Sequence, residues 1–97
     1  MSTINTDLIT FNPHKSDRNE RERGLPFGLV AELDWSDAVI EMDDRQDYGE
    51  PRYRVFGYIG HGLYAMVFTP RNGKIHVISL RKANHREVKL YEQKTQT

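Results

Sequence analysis

The sequence has no cysteine and no long apolar run, and each absence excludes a class of protein. Without cysteine, the chain has neither disulfide bonds nor thiolate ligands for zinc or an iron–sulfur cluster. No apolar stretch approaches the roughly 20 residues that a membrane-spanning helix requires. The first ten residues lack the basic and apolar regions of a secretory signal. We therefore expect a single cytoplasmic domain over residues 1–97 that makes no contact with a membrane.

The net charge is zero, but charges of the two signs are separated along the chain. Residues 1–50 hold 5 Lys and Arg against 12 Asp and Glu, whereas residues 51–97 hold 9 against 2. Three of the four histidines also fall in the second half, namely His61, His76 and His85. Such an asymmetry indicates one surface that suits a polyanion. The alternative is that the two halves neutralise each other across the fold.

Capping signals predict two helices in the N-terminal part, after a lead-in over residues 3–11 that ends in a short extended segment. Asn12-Pro13 starts the first helix, because Asn accepts bonds from free N–H groups and Pro suits the first turn; Gly24 ends it. This helix is polar all round, so we expect it to lie across a surface. A second, short helix is predicted over residues 26–34, with these side chains turned inward: Phe27, Val30, Ala31 and Leu33.

The rest of the chain predicts a four-stranded antiparallel sheet followed by a C-terminal helix, which makes the fold α+β. The strands are predicted at residues 38–42, 52–59, 63–69 and 74–80, which are rich in Val, Ile, Phe and Tyr. Asn72-Gly73 is a strong hairpin signal. Asn84 and Glu87 have the spacing of a capping box, which opens a helix of about ten residues.

Alternation along the predicted strands assigns polar side chains to faces of the sheet. In the last strand, one face is expected to carry Ile75, Val77, Ser79 and Arg81, and the other His76, Ile78 and Leu80. Arg54 and His76 lie on the two outer strands of the predicted meander. From there both side chains could reach a common surface.

The segment after the last strand concentrates cationic and titratable side chains: Arg81, Lys82, His85 and Arg86. It leads into a helix N terminus, where backbone N–H groups favour a phosphate. Aromatic side chains nearby in sequence add faces for base stacking, namely Tyr58, Tyr64 and Tyr91. These are the parts that RNA binding requires, and the alternative is a solvated basic turn.

No metal site and no cofactor is predicted. The histidines lack the short spacing of a zinc-binding helix motif, and the acidic stretch over residues 43–50 lacks the residue order of a calcium loop. The sequence contains neither a nucleotide-binding loop nor a nucleophile elbow. Trp35 is predicted to belong to the core.

Three blocks of sequence carry a resemblance to a known family. The first is Asn12-Pro13-His14-Lys15, followed by Asn19, Gly24 and Phe27. The second is Gly49-Glu50, with Arg52 and Arg54, leading through Gly57 to Gly60 and Gly62. The third is the run from Ile75 to Ala83, followed by Arg86, Glu87 and Tyr91. Together these blocks, over about residues 11–91, resemble the BrnT family, the toxin half of a bacterial type II toxin–antitoxin pair.

The chain departs from the family pattern at two positions. Glu22-Arg23-Gly24 stands where the family has Lys-His-Gly, so Arg23 replaces the family's histidine; His76 replaces an arginine. Phosphate binding survives both changes, because both side chains can carry positive charge. Arg23 stays protonated and cannot accept a proton, whereas His76 can.

The resemblance implies a RelE-like fold and a metal-independent endoribonuclease that slows translation by cutting RNA. Such a reaction needs a base for the ribose 2′-hydroxyl, cations for the charge developing on the phosphate and an acid for the leaving 5′-oxygen. Carried over to this sequence, the expected catalytic residues are Arg54, His76, Arg81, His85 and Tyr91. The expected RNA-binding residues are Lys15, Arg23, Arg52, Lys82 and Arg86.

Within this set, Lys15, Arg54 and Arg81 would hold the phosphate, with Lys82 in support. Either His76 or His85 would transfer protons, because imidazole titrates near neutral pH. Tyr91 would stack against the RNA or orient it.

The resemblance also implies an RNA substrate and a BrnA-like antitoxin with a ribbon-helix-helix domain. Operator DNA would be contacted only through that antitoxin. Two alternatives stay open at this point: a catalytically decayed, toxin-like module that only binds its antitoxin or RNA, and a general RNA-binding domain. The zero net charge and the acidic first half count against the latter.

Overall fold

The computed structural model describes residues 2–96, which form a five-stranded mixed sheet with helices on both sides. In chain order the elements are a 3₁₀ helix (Thr6–Leu8), β1 (Ile9–Phe11), α1 (Pro13–Arg23), a second 3₁₀ helix (Phe27–Glu32), β2 (Asp34–Met42), β3 (Tyr53–Ile59), β4 (Gly62–Arg71), β5 (Lys74–Lys82) and α2 (His85–Thr95). The strand order is β1-β5-β4-β3-β2; β1 is parallel to β5 and the other pairs are antiparallel. Within residues 2–96, no helix has the length and apolar character to cross a membrane.

The α+β class and the C-terminal helix are confirmed, but the expected numbers of strands and helices are wrong. The sheet has five strands rather than four, because the extended segment Ile9–Phe11 pairs in parallel with β5. Within residues 26–34, predicted as the second N-terminal helix, Phe27–Glu32 form a 3₁₀ helix, since the segment is short and contains Gly28, a poor α-helix former. The edge strand β2 begins at Asp34 instead of residue 38.

Local chemistry explains where both α-helices begin and where α1 ends. The Asn12 side chain accepts hydrogen bonds from two N–H groups of the first turn of α1, at 2.9 and 3.3 Å. Gly24 ends α1 with φ at 72°, a left-handed conformation that glycine adopts readily. Both bonds of the capping box are present at the start of α2, where Asn84 and Glu87 exchange hydrogen bonds at 2.8 and 2.9 Å.

The core lies on one face of the sheet, beneath the second 3₁₀ helix. Its fully enclosed side chains come from that helix and the three central strands: Phe27, Val30, Leu33, Val55, Met66, Val77 and Leu80. Glycine at residue 57 of β3 leaves room for the buried Leu33, because a Cβ there would lie 3.1 Å from Cδ2 of Leu33, a tight contact that would require the leucine to shift. Trp35 packs against this cluster from β2, as expected.

A β-bulge changes which side chains of β5 share a face. The pairing with β4 skips Ile78, which lies opposite no residue. This extra residue interrupts the alternation of side chains between the two faces of the sheet. Leu80 therefore lies in the core, on the same face as Val77. Arg81 then lies on the opposite face together with His76. The expectation that Arg81 shares a face with Val77, and Leu80 with His76, is therefore wrong.

The polar helix α1 covers the part of β5 that β1 leaves unpaired. β1 ends opposite Val77. Further along β5, the carbonyl of Leu80 accepts hydrogen bonds from the Asn19 side chain at 2.9 Å and from Arg23 at 3.4 Å. Side chains of α1 thus supply the donors that a neighbouring strand would otherwise provide.

Candidate functional site

The face of the sheet opposite the core carries two clefts. The histidine cleft, with a volume of about 160 Å³, is lined by Asn12, Lys15, Glu50, Arg52, Arg71, His76, Val77 and Ile78. The helix cleft, with a volume of about 310 Å³, lies between α2 and the strands β2 and β3. It is lined by Val39, Glu41, Arg54, Phe56, Asn84, Arg86, Glu87, Leu90, Tyr91 and Lys94.

Four elements bring basic side chains into the histidine cleft. Lys15 comes from the first turn of α1, Arg52 from the loop before β3, Arg71 from the end of β4 and His76 from β5. Glu50 is the one carboxylate in the lining, and it lies 3.1 Å from Arg71 and 3.7 Å from Arg52. Three permanent cations therefore face one anion, so the cleft attracts negatively charged ligands.

His76 is held inside the histidine cleft by a neighbouring strand. Its Nδ1 lies 2.9 Å from the hydroxyl oxygen of Thr10, the residue directly opposite it on β1. Burial, and then the charges of Arg71 and Lys15, lower the pKa of His76 from its usual value near 6.5, against an opposite contribution from Glu50. The imidazole is therefore neutral at neutral pH, and a neutral imidazole can accept a proton.

The loop between β2 and β3 fixes Arg52. The guanidinium of Arg52 lies 4.0 Å from the centre of the Tyr48 ring, in a cation–π arrangement. The buried hydroxyl of Thr69 donates a hydrogen bond of 2.6 Å to the carbonyl of Pro51, which ties the end of the loop to β4. Nε of Arg52 is buried and makes no hydrogen bond within the described residues.

In and beside the helix cleft, two carboxylates bind three cations, while Arg86, which also lines the cleft, makes no ion pair within residues 2–96. Glu41 accepts a hydrogen bond of 3.2 Å from Arg54 and another from Lys94. Arg81 donates two hydrogen bonds, at 2.7 and 2.8 Å, to the two carboxylate oxygens of Glu87. These bonds and the capping contact lower the pKa of Glu87 to about 2. A phosphate entering this cleft would have to displace an existing partner of each paired cation.

Tyr91 is a packing residue in this arrangement. The side chain is buried, and its hydroxyl donates a hydrogen bond of 2.7 Å to the carbonyl of Asp37. Its ring meets the ring of Tyr58 edge-on, with centroids 5.6 Å apart. Burial raises the pKa of Tyr91, which therefore stays protonated at neutral pH. These contacts anchor α2 to β2 and β3.

The fold separates the residues singled out in the sequence into three groups. Lys15, Arg52 and His76, one from each block of the family resemblance, meet in the histidine cleft. Around the helix cleft lie Arg54, Arg81, Arg86 and Tyr91. Neither cleft is lined by Arg23, Lys82 or His85. Arg54 and His76 thus share a face of the sheet but line different clefts.

Sequence reasoning missed Arg71 and Thr10. The signal for Arg71 is the two-residue turn Asn72-Gly73, which pairs Arg71 with Lys74 and places it on the same face as His76. Thr10 had no such signal, because β1 is three residues long and its partner lies 66 positions away.

Over residues 2–96, no three His, Asp or Glu side chains lie close enough together to hold a metal ion. The cationic side chains of the histidine cleft are the groups available there to bind a phosphate.

The comparison with protein families agrees with the blocks that meet in the histidine cleft. A family model described as "Ribonuclease toxin, BrnT, of type II toxin-antitoxin system" matches residues 11–87. A search of the curated proteins and a search of the solved structures returned no match. The matched range includes every polar side chain that lines the histidine cleft. The chain belongs to the BrnT family of ribonuclease toxins of type II toxin–antitoxin systems.

Proposed function

We propose that the chain is an active endoribonuclease that needs no metal ion, and that the histidine cleft is its catalytic site. The observation that carries this proposal is the grouping of three permanent cations around a half-buried imidazole with a lowered pKa. RNA cleavage requires both parts: cations for the phosphate and a proton acceptor for the 2′-hydroxyl. The lining of the helix cleft contains no histidine, and two of its three cations, Arg54 and Lys94, are bound to Glu41.

In the proposed reaction, Lys15, Arg52 and Arg71 bind the non-bridging oxygens of the scissile phosphate. His76 takes the proton from the adjacent ribose 2′-hydroxyl, and that oxygen attacks phosphorus. The bond to the 5′-oxygen breaks as a 2′,3′-cyclic phosphate forms, and the leaving 5′-oxygen takes a proton from solvent water. The same cations stabilise the negative charge that develops on the phosphate oxygens, which is commonly the largest contribution in such a site.

Glu50 organises the cleft before RNA enters. Its carboxylate lies against Arg71 and Arg52, so both guanidinium groups are oriented without an anion from solvent. A phosphate competes for the same donors and replaces the carboxylate. Glu50 therefore pre-orients the arginines, at some cost in RNA affinity.

The decayed-module alternative is not favoured by the position of Arg23, the residue that replaces the family's histidine. Arg23 lies at the end of α1, where it donates to the carbonyl of Leu80. It lines neither cleft, so this replacement leaves the histidine cleft intact. The second replacement, His76, adds a proton acceptor to the cleft.

We further propose that cleavage of RNA in the cytoplasm slows translation, and that a BrnA-type antitoxin with a ribbon-helix-helix domain neutralises the toxin. The antitoxin would make the contacts to operator DNA. Membership of a toxin family of type II systems supports an antitoxin partner and an RNA substrate.

Induced expression in a bacterial host tests the proposed function. Cells producing the wild type should stop growing and show fragmented RNA, and His76→Ala should abolish both effects. His85→Ala is the matched control, because His85 is exposed and lines neither cleft, so it should remain toxic. Normal growth with intact RNA from folded wild-type protein would contradict the proposal and favour the decayed module. Equal toxicity of the wild type and His76→Ala would contradict the role of His76.

A further inference from the structure

The three-residue strand β1 brings one polar side chain onto the cleft face of the sheet. Ile9 and Phe11 pack against the core, so Thr10 between them points to the opposite face. In the parallel register Thr10 lies directly opposite His76, and its hydroxyl oxygen lies 2.9 Å from Nδ1. The contact is partly buried. β1 thus provides the hydrogen-bond partner for one nitrogen of the imidazole.

The charges around the ring decide which nitrogen carries the proton. Lys15 and Arg71 are donors that cannot accept a hydrogen bond. Because Nδ1 lies against Thr10, Nε2 is the ring nitrogen left to interact with these cations, which favour a lone pair there over an N–H. A neutral imidazole with its lone pair on Nε2 carries its proton on Nδ1, and the Thr10 hydroxyl can accept a hydrogen bond from Nδ1–H.

We propose that Thr10 is a positioning residue: its hydroxyl accepts a hydrogen bond from Nδ1–H of His76 and so presents the Nε2 lone pair to the RNA 2′-hydroxyl. The inference rests on the proposed function of the histidine cleft and adds the element that orients its base. A hydrogen bond to the ring nitrogen that does not react fixes the tautomer and the ring plane of a functional histidine. Hydrophobic packing of Ile9 and Phe11 holds Thr10 in place, so the orientation does not depend on bound RNA.

Charged groups from several neighbouring elements affect how tightly this imidazole binds a proton. α1 contributes a cation, the loop before β3 contributes a cation and an anion, and β4 contributes a further cation. These groups are Lys15, Arg52, Glu50 and Arg71. Thr10 differs from all of them because it carries no charge. Its replacement therefore tests orientation while leaving the electrostatics of the cleft unchanged.

The test compares Thr10→Val, which has nearly the same shape without the hydroxyl, with Thr10→Ser, which keeps the hydroxyl. The nitrogen chemical shifts of the His76 ring, measured by NMR at pH 8, report the tautomer directly. In the wild type and Thr10→Ser we expect the proton on Nδ1. In Thr10→Val we expect a mixture of tautomers, with the fold intact by circular dichroism. An unchanged tautomer in Thr10→Val would overturn the inference.

Single-turnover cleavage of an RNA oligonucleotide provides the second readout. Thr10→Val should slow cleavage about tenfold, the rate equivalent of one neutral hydrogen bond, and Thr10→Ser should restore most of the rate. A changed tautomer with an unchanged rate would overturn the positioning role. The two proposals fail separately: full activity of His76→Ala would contradict the proposed function, whereas the tautomer measurement would still report whether Thr10 orients the ring.

Discussion

The two clefts lie on the same face of one sheet, but their charges are arranged differently. In the helix cleft, the carboxylates of Glu41 and Glu87 bind Arg54, Lys94 and Arg81. In the histidine cleft, Glu50 alone opposes three cations and an imidazole. The ion pairs of the helix cleft join α2 to the strands, whereas the histidine cleft combines an excess of cations with an imidazole. The comparison separates side chains that anchor α2 from side chains that suit RNA.

The largest difference between the two clefts should appear in the rate of RNA cleavage when two cations are removed from each. We expect Lys15→Gln with Arg71→Gln to slow RNA cleavage by about 10²-fold or more, because these groups face the phosphate charge directly. The matched pair, Arg54→Gln with Lys94→Gln, should change the rate by less than about threefold, since both cations serve Glu41. Single-turnover assays on folded variants measure both. A larger loss in the second pair would move the catalytic site to the helix cleft.

For folding stability, a substitution in the helix cleft should have a larger effect than one in the histidine cleft. Glu87→Ala removes the bidentate contact to Arg81 and half of the capping box, so we expect a loss of about 1–2 kcal/mol in the free energy of unfolding. Glu50→Ala should cost less than about 1 kcal/mol, since its ion pairs are at the surface. Urea denaturation gives both values. Equal losses would show that Glu50 has a structural role as large as that of Glu87.

RNA affinity sharpens the comparison further. Glu50→Gln removes the anion that competes with phosphate, and we expect about threefold tighter binding of a non-cleavable RNA and a steeper dependence of affinity on salt. Glu87→Gln, in the helix cleft, should leave the affinity unchanged. Fluorescence anisotropy at several salt concentrations checks this. Weaker binding by Glu50→Gln would mean that Glu50 contacts the RNA favourably or that its orientation of the arginines matters more than its charge.

The two clefts should also respond to different pH ranges, which is the smallest expected effect. The pKa of His76 is lowered on folding, so the unfolded chain binds the proton more tightly and the folded state loses stability as the pH falls below about 6.5. The pKa of Glu87 falls to about 2, so its contribution is present above about pH 4.5 and disappears as the pH falls towards 2. The free energy of unfolding, measured by urea denaturation at each pH, should decline less steeply in His76→Gln than in the wild type between pH 7 and 5. In Glu87→Gln it should decline less steeply than in the wild type only below pH 4.5. Parallel curves for the variants and the wild type would contradict both assignments.

The elements that the sequence predicted well are those set by neighbouring residues. Asn12-Pro13, the turn Asn72-Gly73 and the capping box of Asn84 with Glu87 all act within a few positions, and the structure contains each of them. The position of β1 depends on pairing with residues 75–77, which no local pattern encodes. The bulge at Ile78 is likewise a property of two strands together, so alternation alone placed Arg81 on the wrong face.

The candidate site was predictable only in its residue types. The sequence identified Lys15, Arg52 and His76 as candidates, and the fold brings these three together. It also proposed Arg54 and Arg81 as phosphate ligands, and nothing in the spacing indicates that Glu41 and Glu87 already bind them. Which carboxylate binds which cations depends on side-chain packing between distant elements: Glu41 binds Arg54 and Lys94, and Glu50 lies against Arg52 and Arg71.

The 66 positions between Thr10 and His76 have a consequence for synthesis. A growing chain emerges N terminus first, so Thr10 and Lys15 leave the ribosome long before β4 and β5 exist. The histidine cleft is incomplete until β5, which carries His76, pairs with both β1 and β4. The proposed catalytic site is therefore incomplete for as long as the nascent chain lacks β5.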